Sequence, residues 1–259
     1  MDFTLTNAAI DALDGAASAL AALLPRPERV ELRWGGFRWE YPVRSPEVVQ
    51  VGKAVRTITS VRAAWRLAEE GSTTESATLL RVASDFAAEI VFLAEGILEG
   101  KLNAAQQKFV EDYFKPFPTD PDELAARERE YYVGRKDIVA AHARLAEKAG
   151  IDGEYLERLV KYLNKGYDAY VHGSYATSME LFTGEDYSFM LRGHGSPRAK
   201  YIAKTAVAGK LHEVLAALEL MAFTGGQQEL VERLASRRME LHASREPKGL
   251  DCPPYQTAV

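Results

Sequence analysis

The sequence predicts a mainly α protein, a bundle of about eight to ten helices with one N-terminal β-hairpin. Three observations predict this fold class. Apolar residues recur at spacings of three and four along most of the 259-residue chain, which is typical of helices buried on one side. Proline and glycine divide these segments at short intervals. Apolar and charged residues alternate convincingly, as in a strand, in one stretch, residues 30–43.

The composition is that of a globular protein, with 47% hydrophobic and 27% charged residues. The net charge of -5 argues against a surface that binds phosphates over most of its area, but it does not exclude a small local basic groove. Cys252 is the single cysteine, which excludes a disulfide framework within one chain and favours a cytoplasmic location. The apolar stretch from Ala8 to Leu24 contains Asp11 and Asp14, so we expect an amphipathic helix there rather than a signal peptide or a membrane span.

Residues 1–45 are predicted to form an N-terminal helix and the hairpin. Asn7 is the expected cap of a helix that runs to about Leu24. The Gly35-Gly36 pair supplies the positive φ that a tight hairpin turn needs. Aromatic side chains alternate along both strands, and their face is either a binding surface or, as we favour, part of a flap packed over the helices.

Residues 46–243 are predicted to form the helical bundle. Two long helices, at about 46–70 and 74–98, should pair as an antiparallel hairpin because a short Gly-Ser turn joins them. Asn103 caps a shorter helix that ends near Phe114.

Three prolines in residues 115–122 indicate a corner within the bundle. Further helices are expected at about 121–132, 136–148, 153–171, 197–223 and 227–242, and residues 175–182 are expected to form a turn or a short helix. Residues 184–198 form a long Gly-rich loop, and residues 244–259 are a loose tail.

The helix predicted at 153–171 separates two kinds of side chain. Apolar residues on one face, which we expect to bury against other helices, are Leu156, Leu159, Leu163, Tyr167, Tyr170 and, beyond the helix, Leu181. The other face carries Arg158, Lys161, Lys165, Asp168 and His172. A neutral imidazole accepts or donates a proton near physiological pH, and a nearby base stabilises a phosphorane-like anion. Lys165 and His172, two turns apart on this face, could therefore support metal-free RNA cleavage.

Arg135 and His142 repeat this spacing in the segment RKDIVAAH. For each pair taken alone, the interpretation we favour is a solvated helix face with an ordinary histidine. The sequence lacks HExxH and Glu-x-x-His, so we expect no metal and no cofactor. The segment GHGSPR places Ser196 before a helix, where backbone amides either hold an anion or, as we favour, are capped.

Several segments occur in a familiar order. RAAWRLAEEGSTTESATLLRVASDFAAEIVFL contains Leu-Leu-Arg with an acidic residue four positions after the arginine; Tyr-Val-His-Gly-Ser follows much later, and then KLHEVLAALELMAF. Over roughly residues 50–225 the chain resembles helical domains of unknown function grouped with the HEPN superfamily of prokaryotic defence and toxin proteins. Many members are metal-independent endoribonucleases with an Arg-x4-6-His motif at a dimer interface, whereas others have lost the motif and serve as binding or structural units.

The resemblance implies two possible matches to that motif. Arg135 and His142 fit its spacing, although Lys136 follows the arginine where the family prefers a small polar residue. His172 fits the histidine of the Tyr-Val-His-Gly-Ser signature, but Lys165 replaces the arginine. The recurring Arg and acidic pair of the family corresponds to Arg81 and Asp85, which are expected to be structural or to face the His172 site.

Three hypotheses for the function follow. The first is an HEPN-like protein that binds or cleaves RNA without metal, in phage defence or a stress response. His172 would be the general acid/base, and Lys165, Arg158 and Arg81 would contact phosphate. Lys161, Asp168 and Ser174 complete its binding residues. A homodimer is expected because long amphipathic helices often self-associate.

The second hypothesis is a non-catalytic module that docks a protein partner through the aromatic hairpin and the helical faces. The third is a small-ligand pocket lined by Tyr167, Tyr170 and the 184–198 loop. A continuous basic groove around His172 would favour the first hypothesis, and a deep apolar cavity near Tyr170 would favour the third.

Overall fold

The computed structural model describes residues 3–32, 35–115, 122, 133–182, 188–190, 193 and 195–244. This part of the chain contains nine helices and one two-stranded antiparallel sheet. The prediction of a mainly α bundle with an N-terminal hairpin is therefore confirmed. Three predicted features lie mostly outside the described residues: the corner at 115–122, the helix at 121–132 and the tail at 244–259. About half of the 184–198 loop is also outside them.

The helices and strands follow one another in this order: α1 (Thr4–Ala21), β1 (Glu28–Glu31), β2 (Phe37–Glu40), α2 (Pro46–Glu70), α3 (Thr73–Leu98), α4 (Ala104–Tyr113), α5 (Arg135–Lys148), α6 (Gly153–Val171), α7 (Tyr175–Met179), α8 (Pro197–Thr224) and α9 (Gln228–Ala243). The bounds of α2 to α6, α8 and α9 lie within one residue of the predicted ones, whereas α7 ends three residues early, at Met179. Local caps set the starts of several of these helices. The side chains of Ser45, Asn103 and Asp152 accept hydrogen bonds from first-turn amides of α2, α4 and α6.

Helix α1 begins before its predicted cap. Asn7 lies inside the helix, and Phe3 occupies the N-cap position without a side-chain hydrogen bond. The Phe3 ring packs against Trp65 of α2 and Tyr201 of α8, with centroids 5.9 Å and 6.0 Å apart. Tertiary packing of this aromatic residue, rather than a local cap, therefore stabilises the first turn of α1.

The main core lies between α1, α2, α3, α8 and α9. Its largest fully buried side chains include Leu13, Leu80, Ile90, Leu211 and Leu234. A smaller cluster joins α2 and α3 to α4 and α5. Helix α3 belongs to both clusters and also packs against α6, so it has neighbours on several sides. Helix α1 packs in the same core as the bundle helices.

The hairpin stands apart from this core. Glu28 pairs with Glu40 and Glu31 with Phe37, which leaves residues 32–36 as the connection, and both Gly35 and Gly36 adopt the predicted positive φ. The side chains of Phe37 and Trp39 are 48% and 62% exposed. The predicted packing of this flap over the helices is therefore wrong for Phe37 and Trp39, whose rings pack on each other.

Candidate functional site

A cavity of about 560 Å³ lies between α3, α5, α6 and α8, and we call it the α5–α6 cavity. Its volume is in the range of small-molecule sites. The lining residues are Val82, Ser84, Asp85, Phe86, Ala88 and Glu89 of α3; Val133 before α5 and Arg135, Ile138, Val139 and His142 of α5; Leu156, Leu159, Val160, Leu163 and Asn164 of α6; and Lys210 and Glu213 of α8.

Helix α6 forms the outer wall of the cavity. Its buried residues are Gly153 and Asn164, whereas Leu159 and Leu163 are 37% and 44% exposed. The predicted burial of its apolar face is thus only partly realised. The apolar side chains of α6 lie over a cavity instead of interdigitating with a filled core, so they are less buried than the helical pattern suggests.

Arg135 and His142 both line the cavity, two turns apart on α5. The His142 ring places Nε2 3.0 Å from the carbonyl oxygen of Ala88. A carbonyl can only accept, so Nε2 carries the hydrogen and Nδ1 keeps a lone pair. Burial lowers the pKa of His142, which makes the imidazole neutral at physiological pH. The neutral His142 imidazole could therefore accept a proton as a general base, although the residue is buried like a core side chain.

Asp85 connects the arginine of α5 to α3. The Arg135 Nη1 lies 2.5 Å from Asp85 Oδ1, and the Arg81 guanidinium pairs with the same oxygen. Arg81 Nε also donates to Asp168 Oδ1 of α6 at 2.6 Å. Arg81 is 8% exposed, so the face of α3 that it shares with Asp85 is packed against α5 and α6. This chain of ion pairs ties the three helices together at one end of the cavity.

Two further ion pairs border the cavity. Lys210 Nζ of α8 lies 2.6 Å from Glu213 Oε2, which also accepts a hydrogen bond from Ser84 at 3.3 Å. Lys53 Nζ of α2 lies 2.6 Å from Glu89 Oε2. Burial raises the pKa of Glu89, and the Lys53 ammonium opposes that shift. Each charged side chain of the lining therefore has a partner of the opposite sign.

Asn164 differs from these residues. It lines the cavity and is 6% exposed, yet no described residue donates to or accepts from its carboxamide. The polar atoms of the carboxamide stay accessible from the cavity. The carboxamide offers two donor hydrogens and a carbonyl acceptor to whatever occupies the cavity.

The His172 face lies away from the cavity. His172 occupies the C-cap position of α6 and is exposed, as is Lys165. On the same helix, Arg158 pairs with Glu154 and Lys161 with Glu157.

Asp168 turns inward to Arg81. The charges of Arg158 and Lys161 are thus compensated by glutamates of the same helix. In the described residues, this face of α6 does not form the continuous basic groove that would favour RNA.

The other predicted binding residues have local structural roles. The Tyr170 hydroxyl donates to the Glu180 carboxylate at 3.2 Å. Ser174 caps α7 by accepting from the amide of Thr177. Tyr167 packs against the main core, with the Lys210 ammonium 4.9 Å from its ring centroid. Of the pocket predicted from Tyr167, Tyr170 and the 184–198 loop, neither tyrosine lines the α5–α6 cavity, and nor do the described residues of the loop.

The N-terminus of α8 is capped by Ser196, which is the alternative we favoured over an anion site. The Ser196 hydroxyl accepts a hydrogen bond from the amide of Ala199 at 3.2 Å. Gly193 has φ of +83°, and a Cβ there would lie 2.8 Å from the amide nitrogen of Ser72. Glycine at this position is therefore required by close packing against the turn between α2 and α3.

Sequence reasoning missed Asn164, Lys210 and Glu213 as lining residues. One signal for Asn164 is present in the sequence, because it interrupts the apolar face of α6 between Leu163 and Tyr167. The contribution of α8 has no such signal, since its lysine and glutamate resemble an ordinary helical ion pair.

Two classes of site are absent from the part of the chain described. Its histidine, cysteine and acidic side chains include no group of three or more that could hold a metal ion. Its helices include none with the length and apolarity needed to cross a membrane.

Comparison of the chain with protein-family models, curated proteins and solved structures finds no match. The resemblance to the HEPN superfamily therefore stays a prediction.

Proposed function

We propose that this protein binds a small organic molecule in the α5–α6 cavity. The observation that carries the proposal is Asn164, a buried carboxamide with no partner among the described residues, inside a cavity with largely apolar walls. Small-molecule sites commonly combine apolar walls with a few polar groups that fix the orientation of the ligand. A bound molecule with a hydrogen-bonding group would satisfy Asn164.

The position of Asn164 favours a ligand-binding role over a purely structural one. The Asn164 carboxamide opens onto the cavity and makes no hydrogen bond to a described residue, so it adds no hydrogen bond to the fold. An apolar residue at this position would continue the apolar face of α6. The asparagine is therefore better explained by binding than by folding, as for other strained or unsatisfied groups at functional sites.

A neutral fluorescent probe tests this proposal. N-phenyl-1-naphthylamine gains fluorescence in apolar sites, and we expect saturable binding to the wild-type protein with one site per chain. Val160→Trp places a large ring in the cavity and should weaken binding at least tenfold. Val171→Trp introduces the same ring at an exposed position of the same helix and serves as the control. Absence of binding to wild type, or equal binding to both variants, would overturn the proposal.

Metal-independent RNA binding or cleavage is the second candidate function. The observation that favours it is that Arg135 and His142, which match the HEPN-like spacing, line one cavity with the imidazole neutral. His142 Nδ1 would act as general base, and Arg135 would stabilise the anionic transition state after leaving Asp85. This candidate includes the expected defence setting, cytoplasmic location and homodimer.

Cleavage of a mixed RNA pool in EDTA tests the second candidate. If it is right, wild type cleaves RNA and His142→Ala loses the activity, whereas His172→Ala retains it. Loss of activity in His172→Ala and Lys165→Ala instead would move the reaction to the exposed face of α6. A folded wild-type protein that leaves the pool intact would remove catalysis from the candidates.

Docking of a protein partner is the third candidate. It is supported by the exposed rings of Phe37 and Trp39, which lie on a hairpin outside the core. An interaction lost in Trp39→Ala and retained in Val171→Trp would support this candidate, and an interaction indifferent to Trp39 would exclude the hairpin as its surface.

A further inference from the structure

The ion pairs around the α5–α6 cavity leave no described lining charge uncompensated. Arg135 and Arg81 share Asp85, and Arg81 also pairs with Asp168. The two lysine pairs are Lys210 with Glu213 and Lys53 with Glu89. Four bases thus face four carboxylates. An ionic ligand would have to leave its hydration shell without meeting an unpaired countercharge, which is strongly unfavourable in a partly buried site.

The remaining polar groups of the lining are neutral. His142 donates through Nε2 to the Ala88 carbonyl, and the Ser84 hydroxyl is directed at Glu213. The Asn164 carboxamide is the described lining group that still offers both donors and an acceptor. The polar part of a ligand is therefore best satisfied at Asn164 by a neutral group that both accepts and donates.

The rest of the wall is apolar. The side chains that provide it include Val82, Phe86, Ile138, Val139, Leu156 and Val160. They come from three helices, and contact with them favours an alkyl or aromatic body. Leu159 and Leu163, which are partly exposed, form the rim on the α6 side.

We propose that the ligand is a neutral amphiphile whose carboxamide or hydroxyl head binds the Asn164 carboxamide while its apolar body lies between α3, α5 and α6. This inference rests on the proposed function and names its ligand class. A primary carboxamide suits the site best, because two amides can form a pair of N–H···O hydrogen bonds. An ionised carboxylate cannot donate, and an ammonium group cannot accept.

A matched series of eight-carbon compounds tests the ligand class. Octanamide, octanol, octanoate and octylamine are each titrated separately against the bound naphthylamine probe at pH 7.5. Loss of probe fluorescence measures the affinity of each compound. We expect octanamide to bind most tightly to wild type, with octanol close to it. Octanoate and octylamine, which are both charged at this pH, should bind at least tenfold more weakly. Tightest binding by either charged compound would overturn the inference.

Two substitutions at Asn164 separate recognition of the head from filling of the cavity. Asn164→Leu should keep probe binding and weaken octanamide about thirtyfold, because two hydrogen bonds of ordinary strength are lost. Asn164→Asp should improve octylamine relative to octanamide. Unchanged preferences in both variants would overturn the role of Asn164. Failure of the proposed function gives a different result, since the probe itself would then not bind wild type.

Discussion

Asn164 is the residue at which stability and binding make opposite demands. We expect Asn164→Leu to raise the free energy of unfolding by up to about 1 kcal/mol, because an apolar group replaces an amide that makes no hydrogen bond to a described residue. Urea denaturation of the unliganded protein measures this change. Asn103→Leu is the matched control, since Asn103 caps α4 by accepting from the Gln106 amide, and its loss should destabilise by about 1 kcal/mol. A less stable Asn164→Leu protein would contradict the unsatisfied state of this amide.

His142 should make folding sensitive to acid. Its pKa is lowered in the folded protein by burial, so the unfolded chain binds a proton more readily. Stability is therefore fully present above the ordinary histidine pKa of about 6.5 and is lost as pH falls below it, by at most about 1.4 kcal/mol per pH unit. Glu213 and Glu95 favour the charged ring and Arg135 opposes it, so the net direction is set by burial.

His142→Gln tests this pH dependence. Glutamine can still donate to Ala88 but does not titrate. The difference in unfolding free energy between wild type and variant should be constant above pH 7.5. Below pH 6.5, the unfolding free energy of wild type should fall relative to that of the variant. A difference that is constant from pH 8 to 5 would show that His142 has an ordinary pKa in the folded protein.

At the scale of elements, helix α6 is positioned by one buried cation. Arg81 of α3 is 8% exposed and bridges Asp85 and Asp168, whose side chains are partly exposed. Arg81→Ala should destabilise by about 2 kcal/mol, between the values typical of buried and of surface pairs, because water can hydrate the two aspartates that remain.

Arg158→Ala is the control for Arg81→Ala. Arg158 pairs with Glu154 one turn away on the exposed surface of the same helix, so its loss should change stability by no more than about 0.5 kcal/mol. Chemical denaturation of both variants gives the comparison. Equal effects would mean that the Arg81 bridge does not hold α6 in place.

At the scale of the whole molecule, the hairpin and the bundle should be energetically independent. Trp39 is 62% exposed on β2, so Trp39→Ala should change the free energy of unfolding by no more than about 0.5 kcal/mol. Trp65 of α2 is 6% exposed in the main core, and Trp65→Ala should lower the free energy of unfolding by about 3–5 kcal/mol. Thermal and urea unfolding compare the two. A large cost at Trp39 would place the hairpin against the bundle.

The local signals in the sequence were sufficient for most helix boundaries. Ser45, Asn103, Asp152 and Ser196 each accept a hydrogen bond from a first-turn amide of the helix that follows, as their residue types predict. Such a cap involves groups within a few residues of one another, so it is readable without the tertiary fold. The boundary of α1 was not predictable in this way, because Phe3 is held by rings from α2 and α8.

Several residues of the site were predictable from the sequence, but their contacts with one another were not. Arg135, His142, Arg81 and Asp85 were recognisable as candidates from their chemistry and spacing. Their neighbours depend on how four helices pack. Arg81 meets Asp168 across 87 residues of chain, and His142 meets Ala88 across 54. No local pattern encodes such contacts.

The sequence by itself therefore determined the fold class, the helices and the hairpin, since periodicity, caps and turn residues act over short distances. Only the tertiary structure decided which face of each helix is covered. It separated the exposed His172 from the enclosed His142, and it placed an unpaired asparagine in a cavity. The physical reason is that burial and hydrogen-bond partners are properties of helix packing, which sets the pKa of a histidine and the reactivity of a polar group.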